Sequence, residues 1–444
     1  MTPRAAMLAV LLAAPAPAAP APLTLDEALA EASRSSPDLR IARADRDAAL
    51  GDRTVAWSTV LPRLDLTASF GREYAGASSA ALAPGYTISI PASSQESYAL
   101  GLRLEQPLFD GLRSWSLVSA GKARAAAAEG TLDESSLTVA FGVTRGFLEV
   151  VRAERNLSVL EEAARRSEEV LRRAQALYEA GRALKGDAIA ARVNLGNDRI
   201  LAEVQRARVT RARVDLCLAL GRDADPELAV VPPATLLGPG GAGGEEPPPR
   251  EALLQAARRS RPLLRSQRDL VTAADADVRA ARGGYWPSLS AVLGYDRAGP
   301  LLGGRGGVYG DLSRQYAASA LLTLTWNLFD GLRTTGTVDR AAAVAGRTRA
   351  GSDQSEQQVG GEIASSRDQV VILRRAVALA VDNLAAAEQG LGLARDRLDK
   401  GAAMQLEVRD AELKLTQARL ALIGTRIDEA IARADLNRAV GGAL

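Results

Sequence analysis

Very few side chains in this sequence could carry out chemistry. Its 444 residues include no His and a single Cys, Cys217. A zinc cluster, a Ser/His/Asp triad and a Cys/His couple each need residues that the chain lacks. Catalysis by carboxylates alone stays formally possible, but we find no nucleotide-binding, redox or cofactor motif beside it. The sequence therefore predicts a protein that is not an enzyme and that holds no cofactor or metal. Cys217 lies in a helical segment and is expected to be a small buried apolar residue.

The charged residues give no sign of a nucleic-acid partner. They make up 24% of the chain and nearly cancel, leaving a formal net charge of +2. A basic run comprises Arg206, Arg208, Arg211 and Arg213. The acidic neighbours and the helical spacing of these residues are typical of a solvated helix face. Aromatic residues are scarce at 4%, whereas Ala and Leu abound, which favours long helices packed through small side chains.

The first residues have the pattern of a secretory signal peptide. Arg4 is a positive start, Ala5–Ala14 is an apolar stretch, and Ala16-Pro17-Ala18 is a small-residue cleavage site, so residues 1–18 are the predicted signal. Beyond it no run of 18 apolar residues occurs, so no helix is expected to span a membrane. If the mature chain enters a membrane, it must do so as a β-barrel, because only helices and closed barrels satisfy the backbone in lipid.

An internal repeat organises the chain. Phe109-Asp110-Gly111-Leu112-Arg113 recurs unchanged as Phe329-Asp330-Gly331-Leu332-Arg333, an offset of 220, and Gly181 matches Gly401 at the same offset. Pro62 matches Pro287 at an offset of 225, so the difference between the two offsets falls in the hairpin region, where an external loop is expected. The pattern predicts a tandem duplication: a first helix-hairpin-helix repeat over 19–221, a Pro/Gly-rich linker over 222–249, and a second repeat over 250–444.

Long helices are predicted by heptad spacing in both repeats. Seventeen of the 18 seam positions are apolar, counting Tyr, and the exception is Ser167. The first-repeat positions are Val150, Ala153, Leu157, Leu160, Ala164, Ser167, Leu171, Ala174 and Tyr178, and the second-repeat positions follow from them at the same offset of 220. No Pro interrupts Asp110–Gly181, which permits about 70 helical residues. Gly181 and Gly401 are expected to end these helices as C-cap residues.

Between the helices the apolar period changes to two, which predicts β-strands at about 63–74, 96–107, 288–297 and 317–328. One apolar face backed by one polar face fits a membrane-barrel strand with lipid outside and water inside. A soluble sandwich hairpin is the alternative. Four strands cannot close a barrel, but three chains would contribute twelve. The Ala/Ser-rich segment from about Ala75 to Gln95 is expected to be a mobile external loop.

Together these features resemble the TolC-like outer-membrane efflux protein family. The resemblance rests on the signal peptide, the duplicated helix-hairpin-helix order, the two Phe-Asp-Gly-Leu-Arg motifs after each hairpin, and Leu61-Pro62 with Trp286-Pro287 before the hairpins. It covers the chain from about Leu23 to Gly441.

The resemblance implies a mixed α and β fold assembled as a homotrimer. Each protomer would give four strands to one twelve-stranded transmembrane β-barrel in outer-membrane lipid, continued by a periplasmic α-helical coiled-coil tunnel. The implied function is passive conduction of substrates that a periplasmic adaptor (membrane fusion) protein and an inner-membrane transporter deliver. The alternatives are the exit duct of a type I protein secretion system and a non-conducting periplasmic rod.

The resemblance also implies roles for individual residues. Glu407 and Asp410 match an acidic pair that lines the tunnel constriction in some members, and Asp187 matches an acidic gate residue. Leu398 and Ala403 stand where members hold the gate shut with Tyr and Arg, so the gate is expected to differ here. Ordinary solvated acids at helix starts are the alternative for all three carboxylates. The expected adaptor-contacting helix tips are Gly181, Arg182, Leu184, Gly401, Met404 and Leu406. The expected barrel-to-helix motifs are Phe109, Asp110 and Gly111 with Phe329, Asp330 and Gly331.

Overall fold

The computed structural model describes residues 22–233, 246–304, 307–312, 316–402 and 404–442. The predicted signal peptide, the Gly/Pro-rich centre of the predicted linker and Ala403 lie outside these residues. The described helices are α1 (Leu25–Ser35), α2 (Pro37–Ser58), α3 (Arg113–Glu179), α4 (Lys185–Leu220), α5 (Arg250–Ser260), α6 (Pro262–Arg282), α7 (Arg333–Asp399) and α8 (Gln405–Val440). The described strands are β1 (Arg63–Ala75), β2 (Ser78–Ala83), β3 (Tyr86–Ile90), β4 (Ser93–Phe109), β5 (Ser288–Gly299) and β6 (Tyr316–Thr325).

The helix bounds follow the two offsets found in the sequence. The bounds of α7 are those of α3 at an offset of 220, α8 repeats α4 at the same offset, and α5 repeats α1 at an offset of 225. Local contacts repeat as well. The Ser35 hydroxyl donates to the Leu220 carbonyl at 2.6 Å, and the Ser260 hydroxyl donates to the Val440 carbonyl at 2.7 Å. The same residue types at the same spacing therefore produce the same helix ends twice.

In each predicted repeat, a proline marks the break between two consecutive short helices. Pro37 begins α2 and Pro262 begins α6, in each case directly after the residue that caps the preceding helix. Proline has no N–H and restricts the residue before it to extended conformations, so a helix stops there and a new one can start at the proline itself. Ser36 and Arg261 are extended at these breaks.

Four strands form one antiparallel sheet in the order β1-β4-β5-β6. β4 of the first predicted repeat pairs with β5 of the second, and β1 and β6 are the edge strands of the sheet. The strands deviate from the predicted bounds by a few residues at most. β6 ends at Thr325 rather than at 328, because its partner β5 begins at Ser288, directly opposite Thr325. Within the part of the chain that the structure describes, the residues directly beyond Thr325 thus have no strand partner.

The expected loop at 75–95 is instead a β-hairpin. β2 and β3 pair antiparallel in a two-stranded sheet of their own, from Ser78 opposite Ile90 to Ala83 opposite Tyr86. Pro84 and Gly85 form the turn, and Gly85 has a φ of +91°. Pro followed by Gly is the signature of a type II turn, so the sequence contained the signal for this hairpin.

The chain divides into two compact units by its contacts. The first comprises the described parts of Met1–Ile41, Glu134–Arg261 and Val359–Leu444, and the second comprises Ala42–Asp133 and Pro262–Gln358. The first unit has a hydrophobic core around Phe147, Leu216 and Cys217, all fully buried. Cys217 is thus a small core residue, as the sequence indicates. Among the described helices, none combines the length and the apolarity needed to cross a membrane.

Candidate functional site

The turns between the long and the following helices have the same backbone geometry in both parts of the first unit. Gly181 and Gly401 adopt φ angles of +70° and +71°. The Gly181 N–H donates to Tyr178 and the next N–H to Leu177, and Gly401 repeats this pattern with Leu398 and Arg397. This is the Schellman arrangement, which needs a left-handed residue and therefore favours glycine. Both predicted C-caps lie where the sequence places them.

The predicted adaptor-contacting residues are strongly exposed at these turns. Leu184, Met404 and Leu406 have 75%, 74% and 74% of their surface accessible, and Arg182 is exposed beside them. Leu184 and Met404 are the residues immediately before α4 and α8, in extended conformation. Large apolar side chains at such exposure are suited to contact with another protein.

Asp187 caps its own helix. Its carboxylate Oδ2 accepts the Leu184 N–H at 3.3 Å at the start of α4. An acidic side chain here also interacts favourably with the positive end of the helix dipole. Asp187 lines a cavity of about 240 Å³, together with residues of α3, α4 and α8 that include Ser167 and Arg409. The described contacts of Asp187 are thus those of a helix-start acid beside a cavity.

Glu407 and Asp410 lie together in a different groove, between α7 and α8. The groove has a volume of about 930 Å³ and is lined mostly by Ala and other small or apolar residues. Each carboxylate has a cationic neighbour: Arg397 Nη1 lies 3.3 Å from Glu407, and Lys414 Nζ lies 2.7 Å from Asp410. All four side chains are about half exposed, so these pairs add little stability. The structure brings Glu407 and Asp410 together and places Asp187 in a separate cavity.

A buried polar group near the tips was not foreseen from the sequence. Arg409 on α8 donates from Nη1 and Nη2 to the two oxygens of Asp198 on α4, at 2.8 and 2.9 Å. Arg409 Nη1 also donates to the Ser167 hydroxyl on α3 at 2.9 Å, and that hydroxyl donates to Asp198. Because Asp198 and Ser167 are buried, this bidentate pair fastens α8 to α3 and α4 with defined geometry. The hydrogen bond to Asp198 raises the pKa of Arg409, which keeps it charged.

A second polar contact lies further along the same helices. Arg419 on α8 donates to both oxygens of Glu162 on α3, at 2.8 and 2.9 Å, and Arg166 donates to Glu162 at 2.6 Å. Partial burial raises the pKa of Glu162, but the hydrogen bond and charge of Arg419, with Arg166 adding to them, outweigh it and lower the pKa overall. In the sequence, these polar contacts between the long helices are indicated by Ser167, because it is the one polar residue among the predicted heptad seam positions.

The Phe-Asp-Gly-Leu-Arg motifs form the junctions between strands and long helices in the second unit. Asp110 Oδ2 accepts the Ser114 N–H at 2.8 Å before α3, and Asp330 Oδ2 accepts the Thr334 N–H at 3.0 Å before α7. Each carboxylate also accepts the hydroxyl of the same residue. The Thr334 hydroxyl bond is the largest cause of a lowered Asp330 pKa, so the cap is ionised at neutral pH.

Two consecutive left-handed residues follow each cap. Gly111 and Leu112 have φ angles of +66° and +63°, and Gly331 and Leu332 have +67° and +66°. A left-handed Leu costs roughly 1–2 kcal/mol, so the surrounding contacts must enforce this turn. The two glycines differ in their surroundings. A Cβ on Gly111 would lie 2.6 Å from the Gly283 carbonyl oxygen, whereas Gly331 has open space around it.

Comparison with known proteins gives one consistent result. A family profile described as "Outer membrane efflux protein" matches residues 28–222 and 253–442. The outer membrane efflux protein BepC of Brucella suis biovar 1 (strain 1330) is 22% identical over 342 residues, which cover 77% of this chain and 72% of that protein.

Solved structures with a similar fold cover nearly the whole chain. A membrane protein from Pseudomonas aeruginosa has a TM-score of 0.80 at 23% identity, covering 94% of this chain and 92% of its own. The outer-membrane channel CmeC of Campylobacter jejuni has a TM-score of 0.79 at 19% identity, with 95% and 86% covered. The outer-membrane protein VceC of Vibrio cholerae has a TM-score of 0.77 at 20% identity, with 94% and 96% covered.

Proposed function

Because the chain belongs to the outer membrane efflux protein family, whose members are channels and not enzymes, we propose that it is the outer-membrane duct of a tripartite efflux system. It is a protein of the bacterial outer membrane with its helices in the periplasm. Three copies form a twelve-stranded barrel continued by a helical coiled-coil tunnel, and the chain itself arose by tandem duplication. Substrates cross it passively after an inner-membrane transporter and a periplasmic adaptor deliver them.

The exposed apolar face of the four-stranded sheet supports the membrane assignment most directly. Leu64, Leu66 and Phe70 of β1 and Leu322 and Leu324 of β6 point to one face, and each has more than 60% of its surface accessible. Exposure of such an apolar face to water is unfavourable, and contact with lipid would cover it without any further protein. The polar residues that alternate with them, such as Asp65 and Thr323, are suited to the water-filled side of a barrel.

The working end of the tunnel lies at the turns. The exposed residues Arg182, Leu184, Met404 and Leu406, positioned by Gly181 and Gly401, contact the adaptor. Glu407 and Asp410 line the lumen constriction, where three copies would bring six carboxylates together and favour cations. Arg397 and Lys414 reduce this field, since each lies beside one of the carboxylates. Asp187 takes part in the contacts that hold the tunnel closed, at the cavity that it lines.

Fractionation and conductance measurements test this function. We expect the full chain in outer-membrane fractions, with small cation-selective channels in planar bilayers. The double variant Glu407→Ala, Asp410→Ala should conduct more and select less for cations. Asp382→Asn with Asp396→Asn is the matched control, because both carboxylates lie on α7 but outside the groove. Recovery among soluble periplasmic proteins would contradict the channel, whereas unchanged selectivity in the double variant would contradict only the constriction.

A further inference from the structure

The two edges of the four-stranded sheet each lack a second neighbour. Among the described residues, β1 pairs only with β4 and β6 pairs only with β5. An edge strand presents a row of unpaired N–H and C=O groups, and within hydrocarbon such a row must be paired. Both edge strands carry the exposed apolar side chains described above. Each edge therefore needs a partner strand.

The offsets of the internal repeat convert one hairpin register into the other. β5 follows β1 at an offset of 225, and β6 follows β4 at an offset of 220. Applying both to the pair Leu64–Leu104 gives Leu289–Leu324, and applying them to Leu66–Leu102 gives Ala291–Leu322. Both derived pairs occur in the β5–β6 ladder. The two hairpins are therefore equivalent residue by residue, in pairing as well as in sequence.

The pairing of β4 with β5, which joins the two hairpins, can serve as a template for the pairing of the edge strands β1 and β6. β4 pairs with β5 in a ladder that includes Leu104 opposite Leu293, Arg103 opposite Gly294, and Leu102 opposite Tyr295. The equivalents of β4 and β5 are β6 and β1. In one chain these are the outermost strands, three strand spacings or about 14 Å apart. The equivalent ladder can form only between two copies of the chain.

We propose that β6 of one copy pairs antiparallel with β1 of the next in the register given by this template. Leu324 then lies opposite Ala68, Thr323 opposite Ser69, and Leu322 opposite Phe70. This proposal rests on the assembly of three copies proposed above and adds to it the residue-by-residue register of the interface. A slip by one residue would turn the apolar side chains of one strand to the polar face, so a single register is favoured.

The side chains on the two edges agree with this register. Leu322, Leu324, Ala68 and Phe70 fall on the same apolar face, and Thr323 and Ser69 fall on the polar face. Phe70 already packs against Tyr98 within its own chain at a ring-centroid distance of 5.1 Å, and Leu322 covers its other side. The register also continues past the end of β6, where Trp326 lies opposite Leu66 and gains the strand partner that β5 does not provide.

The junction below the sheet shows the same incomplete contact. Gly111 packs closely on Gly283 and Trp286, and their equivalents are Gly331, Ser58 and Leu61. Within one chain Gly331 is open, and Phe329 is 81% exposed while its equivalent Phe109 is only 40% exposed. The next copy brings Ser58 and Leu61 onto Gly331 and covers Phe329. The unpaired strand edges and the open junction at Gly331 therefore both predict contact with the same neighbouring copy.

Cysteine cross-linking in native outer membranes tests the register. The full chain carries Thr323→Cys and Ser69→Cys, with the buried Cys217 replaced by Ala so that only the introduced thiols react. Both positions are small and polar-facing, and oxidation should give disulfide-linked dimers and trimers that disappear on reduction. The matched control joins Thr323→Cys to Thr67→Cys, two residues along the same face. That diagonal Cα separation is about 7–8 Å, too long for an unstrained disulfide.

The outcomes separate the register from the assembly. We expect linking of the first pair on the order of tenfold faster than of the control, because Cα atoms beyond about 7 Å need backbone movement to be bridged. Faster linking of the control pair, in protein whose mass in detergent is that of a trimer, would overturn the register and leave the trimer intact. A monomer mass for the uncross-linked protein would overturn the assembly together with the register.

Discussion

Arg409 holds three helices in one alignment near their tips through its contacts with Asp198 and Ser167. A buried ion pair contributes defined geometry rather than large net stability, because burial of both charges costs several kcal/mol that their attraction must offset. The bidentate contact permits one relative position of α8 against α4, and Ser167 ties the same group to α3. Apolar residues at these positions could pack equally well but would fix the alignment of the three helices less strictly.

Replacing one member of the pair should be far more harmful than replacing both. Arg409→Met leaves Asp198 buried and unpaired, and we expect a loss of about 3–5 kcal/mol in the free energy of unfolding. In Arg409→Met with Asp198→Leu most of this loss should be recovered, since no buried charge remains. Thermal and denaturant unfolding of the detergent-solubilised protein, followed by circular dichroism, measure both. A double variant no more stable than Arg409→Met would mean that the group does not act as a pair.

Glu162 should make stability depend on pH in the acid range. Its pKa is lowered in the folded protein, chiefly because the hydrogen bond and charge of Arg419 outweigh partial burial. The ionised Glu162 therefore stabilises the fold above the unfolded pKa of about 4.3, and this stabilisation is lost as the pH falls through the lower folded pKa. Glu162→Gln should be less stable than the native chain at pH 7 and should approach it as the pH falls below the unfolded pKa. Unfolding midpoints across this range measure the convergence, and Glu169→Gln, on an exposed position of α3, should show no such change.

At the level of elements, the turns and caps could largely be predicted, whereas their partners could not. Gly181 and Gly401 marked the ends of the long helices because only a left-handed residue completes that turn. Pro84 and Gly85 marked a turn too, but the Ala/Ser-rich flanks have weak strand propensity and hid the hairpin. The capping role of Asp110 and Asp330 requires knowing where α3 and α7 begin. A pattern of residue types locates a turn more readily than the contacts that the turn makes.

The two junction glycines should respond differently to the same substitution. Gly111→Ala and Gly331→Ala share the strain of a left-handed alanine, about 1–2 kcal/mol. Gly111→Ala also forces Cβ against the Gly283 carbonyl and Trp286 within the same chain, so it should destabilise the protomer more. Hydrogen exchange at the first turns of α3 and α7 in detergent-separated monomers measures the difference. Equal protection losses at the two junctions would contradict the contact at Gly111.

For the molecule as a whole, the repeat made most of the architecture predictable. Once the offsets of 220 and 225 are recognised, each long helix found in the first repeat indicates another in the second, and the observed bounds of α3, α4, α7 and α8 agree with this. The polar contacts at the tips were not predictable in this way. Ser167, Asp198 and Arg409 correspond to Ala387, Ala418 and Ile189 at the repeat offset, so the group has no copy in the other part. A side-chain contact between helices far apart in sequence leaves no periodic signal.

The β2–β3 hairpin should be dispensable for the rest of the fold. It pairs only with itself among the described residues, in a sheet separate from the four long strands. Replacing residues 76–92 by Asn-Gly would join Ala75 to Ser93, which already lie opposite each other, through a two-residue hairpin turn. We expect unchanged levels of assembled protein in outer membranes and retained conductance. Loss of assembly would show that the hairpin supports other copies.

Among the described residues, the contact of Arg409 with Asp198 and Ser167 has no equivalent at the corresponding positions of the other repeat. Ile189, the repeat equivalent of Arg409, is 55% exposed, and the equivalents of Ser167 and Asp198 are Ala387 and Ala418, which line the groove beside α7 and α8. In the assembly of three copies proposed above, the repeat equivalence would bring Ile189 of a neighbouring copy to that groove. Ion pairs are directional and apolar contacts are not. Near the helix tips, each copy would then be held internally by a directional contact and joined to its neighbour by an apolar one, so the contact between copies would resist sliding less than the contact within each copy.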